Sequence, residues 1–200
     1  MKKFILLALF ATASLAAQEK DSLETNKGFR VHVRMRFHVA YPIAFGDNFY
    51  GEGHDPIIGF GLNGSLLQVS NLRFGLGFEY AVFDVKDQAM IGTFENSTFK
   101  MYYVFGEYDK RISQKVTLTP GIGVGYASNR HGSWTEDYGR QNGYAVRAGL
   151  NTSLQVSKHG YFYLGVHYIY GNFTVDTEDA FEDYYSKTNQ IQLSLGFQID

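Results

Sequence analysis

The sequence predicts an all-β fold, an eight-stranded antiparallel up-and-down transmembrane β-barrel, on three observations. Bulky apolar residues alternate with small or polar ones, with a period of two, in eight segments after residue 28. The connections between these segments are short and long in turn. Glycines and charges gather on one face of the alternation and large apolar side chains on the other. A narrow eight-stranded barrel has an interior just wide enough for small residues and a few long polar ones, so the bulky face belongs outside.

The first segment, Phe29 to Tyr41, carries the pattern most openly: Phe29, Val31, Val33, Met35, Phe37, Val39 and Tyr41 alternate with Arg30, His32, Arg34, Arg36 and His38. An outward Arg34 or Arg36 near mid-strand would cost roughly 2–4 kcal/mol in lipid, so the basic face points into the barrel. The second segment sets Ile58, Phe60, Leu62 and Leu66 against Gly59, Gly61, Asn63 and Ser65. The third sets Leu72, Phe74, Leu76, Phe78, Tyr80 and Val82 against Arg73, Gly75, Gly77, Glu79 and Ala81. In the fourth, Phe99, Met101, Tyr103 and Phe105 are placed outward, with Lys100 and Gly106 opposite.

The fifth puts Ile122, Val124 and Tyr126 against Thr119, Gly121, Gly123 and Gly125, and predicts a bulge at Pro120-Gly121 because proline has no N–H for the ladder. The sixth opposes Tyr144, Val146, Leu150 and Leu154 to Arg147, Asn151 and Ser153. In the seventh, Phe162, Leu164, Val166, Tyr168 and Tyr170 oppose Gly165, His167 and Gly171. The eighth opposes Ile191, Leu193, Leu195, Phe197 and Ile199 to Gln190, Gln192, Ser194, Gly196 and Gln198. Short turns are expected at 70–71, 109–114 and 157–160, and long loops over 42–55, 84–96, 128–142 and 172–187, the asymmetry of a membrane barrel.

Residues 1–17 read as a secretory signal peptide: Lys2 and Lys3, an apolar run from Phe4 to Ala13, and small residues up to a cleavage site after Ala17. Residues 28–200 form the barrel domain. There is no cysteine, which excludes disulfides and thiolate metal sites. Loss of Lys2 and Lys3 leaves 16 basic against 20 acidic side chains, a balance that does not point to nucleic acid. "GFGLNG" (Gly59, Gly61, Gly64) has dinucleotide-loop spacing but lies inside a strand pattern with no helix after it.

On these residues the chain resembles the small outer-membrane β-barrels of the OmpX and OmpA type. The terminal "LSLGFQID", with Phe197 as its aromatic, resembles the signal read by the barrel assembly machinery. The resemblance implies a monomer in the cell outer membrane among outer-membrane lipid and lipopolysaccharide. It also implies a periplasmic N-terminus and long loops on the outside.

The expected lumen is basic. Arg34, Arg36, Arg73, Lys100 and Arg147 face Glu79 as the one inward acid, while the four long loops hold 13 acidic residues. This set forms either a polar network, in which Glu79 pairs with Arg34 or Arg36, or a site for a small anion among Arg34, Arg36 and Arg147. In the last loop Asp176, Glu178, Asp179, Glu182 and Asp183 are a weak calcium candidate, without EF-hand spacing; no other metal and no cofactor is expected.

Ser128, His131, Ser133, Glu136 and Asp137 share one predicted loop, which leaves a lipid-modifying barrel enzyme open as a second reading. The expectation is a non-enzymatic barrel for surface interaction, adhesion or envelope integrity. Its acidic loops display Phe49, Tyr50, Trp134, Tyr138, Tyr184 and Tyr185. The same pattern also admits a narrow pore or a secreted lipocalin-like ligand binder.

Overall fold

The computed structural model describes residues 29–88, 94–133 and 137–200, the side chains of residues 29, 30, 137 and 138 excepted. The signal-peptide reading, Trp134, Glu136 and the side chains of Arg30, Asp137 and Tyr138 lie outside what is described. Eight long strands alternate antiparallel along the chain: β1 (Phe29–Ala44), β2 (His54–Val69), β3 (Leu72–Val85), β4 (Asn96–Tyr108), β6 (Val116–Gly132), β7 (Asp137–Gln155), β8 (Gly160–Thr174) and β9 (Lys187–Ile199). A two-residue strand, β5 (Lys110–Arg111), pairs with the start of β6. Each long strand pairs with the long strand next to it in sequence. The pairing of β1 with β9 then closes the ring, from Met35 opposite Ile199 to Ala44 opposite Gln190.

The alternation of faces sets inside and outside. Phe37, Val39, Phe60, Leu62, Phe74, Leu76, Ile122, Val124, Phe162, Leu164, Val166, Leu193 and Leu195 all project outward and are exposed. Arg34, Arg36, His38, Glu79, Arg147, His167, Gln192 and Gln198 are buried in the lumen. A continuous apolar exterior over a polar interior suits lipid and not water, and it reverses the arrangement a soluble calyx requires.

Inward glycines make room at two crowded places. A Cβ at Gly61 would collide with the His38 ring, and one at Gly77 with the Tyr103 ring. Val69 and Leu72 close the tight β2–β3 turn, whose Ser70 takes the left-handed φ of +57°.

Three expectations are corrected. First, β4 is turned over. Phe99, Met101 and Tyr103 are buried inside, Tyr102 and Val104 face out, and Lys100 is outside with its Nζ 5.6 Å from the centre of the Tyr80 ring. From Met101 to Phe105 both parities of β4 are apolar, so alternation alone does not orient it. Second, Pro120 makes no bulge. The β6–β7 ladder runs through Thr119–Asn151, Pro120–Leu150 and Gly121–Gly149 without a shift. The missing N–H instead lies on the other edge of β6, where ladder pairing lapses between Glu107 and Lys110. Third, strands extend well into the predicted loops. β6 runs to Gly132 and β7 begins at Asp137, so most of 128–142 is hairpin.

Candidate functional site

Each lumen arginine starts from a strand position whose parity drives it inward, away from lipid. What it meets there is only partly visible in the sequence. Toward the short-turn rim, Arg34 grips Asp109 with two hydrogen bonds, Nη1 to Oδ1 at 2.9 Å and Nη2 to Oδ2 at 2.8 Å. Its Nη2 also donates to Asp200 at 3.0 Å. Arg73 Nε donates to Asp109 Oδ2 at 2.7 Å, and its guanidinium reaches Asp200 at 3.7 Å. Thr119 Oγ1 donates to Asp109 as well, at 3.1 Å. Two guanidiniums and two carboxylates therefore form one block.

Above that block Arg36 Nη1 donates to Glu107 at 2.6 Å and Nε to Gln198 at 2.8 Å. Higher again, Glu79 is fully buried and has four partners. His38 Nε2 lies at 2.8 Å, Tyr103 Oη donates at 2.9 Å, Gln192 Nε2 donates at 3.0 Å, and Arg147 lies at 3.4 Å. Tyr163 Oη hydrogen-bonds His38 Nδ1 at 2.8 Å, and the Arg147 guanidinium lies 5.5 Å from the centre of the Tyr103 ring.

This arrangement corrects the expected charge count. Arg34, Arg36, Arg73 and Arg147 are matched by Glu79, Glu107, Asp109 and Asp200. Glu79 does bind an arginine, but it is Arg147 rather than Arg34 or Arg36. Lys100 takes no part. Glu107 escapes sequence reasoning because alternation alone turns β4 the wrong way, and Asp109 and Asp200 because they lie just past strand ends. The signal that finds them is charge: several buried guanidiniums require more buried carboxylates than Glu79 alone.

The three arginines expected to surround a small anion are not used alike. Arg36 and Arg147 line a cavity of about 10 Å³ together with Asn63, Glu107, Asn151 and His167, while Arg34 turns to Asp109 and Asp200. Arg36 Nη2, Arg147 Nε, Glu107 Oε1, Asn151 Oδ1 and both His167 nitrogens have no hydrogen-bond partner among the described residues. Donors and acceptors thus face a space of about one water's size, a set suited to a small molecule that both gives and takes hydrogen bonds.

Asp109 lies in the turn between β4 and β5, outside the strands. Burial alone would raise its carboxyl, but the hydrogen bonds and charge of Arg34, then of Arg73, hold it at about 2 against an ordinary 3.8. A carboxyl lowered in the folded state stabilises the fold fully above its unfolded value and loses that contribution as pH falls through the folded one. Stability is therefore expected to drop by about 2 kcal/mol between roughly pH 4 and pH 2. D109N should flatten that part of a urea-midpoint curve against pH.

The long-loop end is closed by different chemistry. After β1 the chain turns at Gly46, whose φ is +96°, and enters the one-turn helix α1 (Phe49–Gly53), capped by Asn48 accepting from Gly51 N at 3.0 Å. The turn drops Phe49 and Tyr50, 4% and 1% exposed, into the mouth of the barrel. They pack with Phe83, Phe99, Met101, Ile169 and Phe173. Within this plug His54 Nε2 and His131 Nδ1 lie 2.7 and 2.8 Å from Ser97 Oγ. Phe49 and Tyr50, expected on the surface, are thus interior. Ser128 and His131 lie on β6 at positions of opposite parity, so the strand separates them rather than joining them.

The acidic segment of the last loop forms a 3₁₀ turn (Asp179–Phe181) and a second helix, α2 (Glu182–Ser186). Asp183 there pairs with Lys187 at 2.7 Å. No group of three metal-ligating side chains forms among the described residues. Phe181 is 51% exposed in the middle of this acidic stretch.

No protein-family model matches this chain, and no curated protein matches it. Solved structures do resemble it. The crystal structure of Neisserial surface protein A is similar with a TM-score of 0.61 at 14% identity, over 86% of this chain and 98% of that one. A major outer membrane protein from Thermus thermophilus is similar with a TM-score of 0.52 at 10% identity, over 84% and 100% of the two chains. OprG from Pseudomonas aeruginosa is matched over 86% of this chain and 97% of its own at 14% identity, with a TM-score of 0.49. At such identities the property shared with the first two is the fold.

Proposed function

We propose that this chain, which has the fold of the small eight-stranded outer-membrane barrels, is a closed, non-enzymatic barrel of the outer membrane that acts through its outer rim. The observation that carries this reading is the double seal of the lumen. Ion pairs fill it from the short-turn side, and the Phe49–Tyr50 plug fills it from the long-loop side. With the interior occupied by the protein itself, the surfaces left for partners are the lipid-facing wall and the loops. Those loops are acidic, and one displays Phe181. By this reading the short turns face the periplasm and the long-loop end faces outside, where the carboxylates and Phe181 contact other surfaces or support the envelope.

Reconstitution into planar bilayers tests the seal, with no steady ion conductance expected; a steady open state sinks the reading. F49A separates the two seals. It should lower stability by about 3–5 kcal/mol, the usual cost of emptying a buried aromatic site. It should not open a conducting path, because the ion-paired block remains. Neutralising Asp176, Glu178, Asp179 and Glu182 together should leave the barrel intact and reduce its attachment to cationic surfaces. Unchanged attachment would remove the acidic loop from the account.

A further inference from the structure

Two ion networks meet in the middle of the lumen. Arg36 and Glu107 belong to the lower one, and Arg147 to the upper one, whose centre is Glu79. At the meeting point each of the three has one polar atom to spare. Arg36 uses Nη1 on Glu107 and Nε on Gln198, which leaves Nη2. Arg147 approaches Glu79 through its other Nη2 atom and is left with Nε. Glu107 accepts from Arg36 at Oε2, while its Oε1 lies 3.9 Å from Arg34 Nη1, beyond hydrogen-bonding distance. Asn151 of β7 adds Oδ1, and His167 of β8 adds both ring nitrogens. None of these atoms has a hydrogen-bond partner among the described residues.

The five side chains are 2–9% exposed and line the same cavity of about 10 Å³. Gly121, opposite Glu107 in the ladder, keeps this space open, since a Cβ there would stand 3.1 Å from Glu107 Cβ. Such a volume is about the least that admits a water molecule, and it is too small for a polyatomic ion.

The chemistry of the wall selects the occupant. A guanidinium N–H only donates, and a carboxylate or amide oxygen only accepts. The cavity therefore offers two fixed donors, on Arg36 and Arg147, and two fixed acceptors, on Glu107 and Asn151. An anion would meet the two oxygens, a metal cation would meet the two guanidiniums, and an apolar molecule would leave all four groups unmade. Charge here is already balanced, Arg36 by Glu107 and Arg147 by Glu79, so no counter-ion is called for. We propose that the cavity is a binding site for one water molecule, which accepts from Arg36 Nη2 and Arg147 Nε and donates to Glu107 Oε1 and Asn151 Oδ1. The water joins the two ion networks into one, with the His167 ring as the remaining wall. All four of its hydrogen bonds are taken, so it belongs to the packing of the lumen and carries no current. It lies between the ion-paired block and the aromatic plug and exchanges only when one of those seals opens. The site requires the closed barrel alone and is independent of which membrane holds it.

The carbon-bound ring protons of His167 are the probe. The full barrel, labelled with carbon-13 histidine, is folded in deuterated detergent micelles, and heat-dependent gel mobility verifies folding. Cross-peaks between the His167 ring, assigned by their loss in H167N, and water are recorded in the laboratory and the rotating frame. A held water gives effects of opposite sign in the two frames, and a passing one gives the same sign. Wild type should show a cross-peak of the held kind. R36M/E107L, which removes one donor and one acceptor with little change of length, should lose it. S194A should keep it; this variant removes a hydroxyl that crowds the same ring beside Gly165 and could relay magnetisation from solvent. No cross-peak in wild type, an unchanged one in R36M/E107L, or its loss in S194A overturns the proposal. Should R36M/E107L fail to fold, N151L, which removes one acceptor, is read by the same criterion. Effects of the same sign in both frames would overturn the sealed lumen as well, whereas an absent cross-peak in a folded barrel sinks only this inference.

Discussion

Replacing Glu79 with glutamine is expected to cost about 3–5 kcal/mol, because it leaves the Arg147 guanidinium in the lumen without its counter-charge. Glutamine keeps the shape of the side chain, so packing around Gly61 and Tyr103 is preserved and the loss is electrostatic. Glu79 also accepts from Tyr103 and Gln192 and holds His38, which in turn meets Tyr163. Residues from β1, β3, β4, β7, β8 and β9 therefore converge on one carboxylate. The urea midpoint of the barrel in lipid vesicles, read by gel mobility, measures the effect. The double variant E79Q/R147M should recover at least half of the loss, since the stranded charge is removed along with its partner. A cost under about 1 kcal/mol for E79Q would mean that the lumen admits enough water to solvate Arg147 and that the interior is not dry.

The pair Arg36–Glu107 should behave as a unit of a different kind. R36M leaves Glu107 with only the more distant Arg34, 3.9 Å away, and E107Q strands Arg36, and each is expected to lose about 3–5 kcal/mol. The combination R36M/E107L exchanges an ion pair for apolar groups of similar length. It should return to within about 1 kcal/mol of wild type or exceed it, as replaced buried pairs often do. The double-mutant cycle then gives a large coupling energy. Simple additivity of the two losses would show that the 2.6 Å contact is not what holds either side chain. Gln198 and Tyr163, which also contact the Arg36 guanidinium, make a smaller control: Q198L removes the hydrogen bond from Arg36 and a longer one from Ser153 Oγ at 3.4 Å, and should cost about 1.5–3 kcal/mol.

Most of the architecture was legible because lipid and lumen impose opposite demands on alternate residues. β1 shows this best: from Arg34 to Ala40 every second residue is buried, and from Met35 to Tyr41 the others face out. The rule failed at β4 for a physical reason. Near the long-loop end the lumen is not polar but filled by an aromatic plug, so Phe99, Met101 and Tyr103 are apolar and inward while Tyr102 and Val104 are apolar and outward. Parity carries no information where both sides of the wall are greasy. That one reversal hid Glu107 and sent Lys100 inside. The plug itself was illegible because Phe49 and Tyr50 lie between strands, and nothing local states that a loop folds inward. The positive φ at Gly46 is the local device that allows it.

The contacts of Asp200 have a kinetic consequence. Its carboxylate meets Arg34 across a separation of 166 residues, and Gln198 meets Arg36 across 162. Strands β1 and β9, the first and last long strands described, must therefore find each other before the Asp200 and Gln198 contacts exist. Until then Arg34 and Arg36 have only part of their partners, Asp109 and Glu107. A half-built sheet exposes these cations on one face and the apolar wall on the other, so no partial barrel is comfortable in either solvent. Assembly should accordingly be slow and all-or-none, with β1–β9 zippering as its last step and the long-range ion pairs absent from everything that precedes it. Weakening the Asp200 contacts should then speed barrel opening far more than it slows the early hairpins.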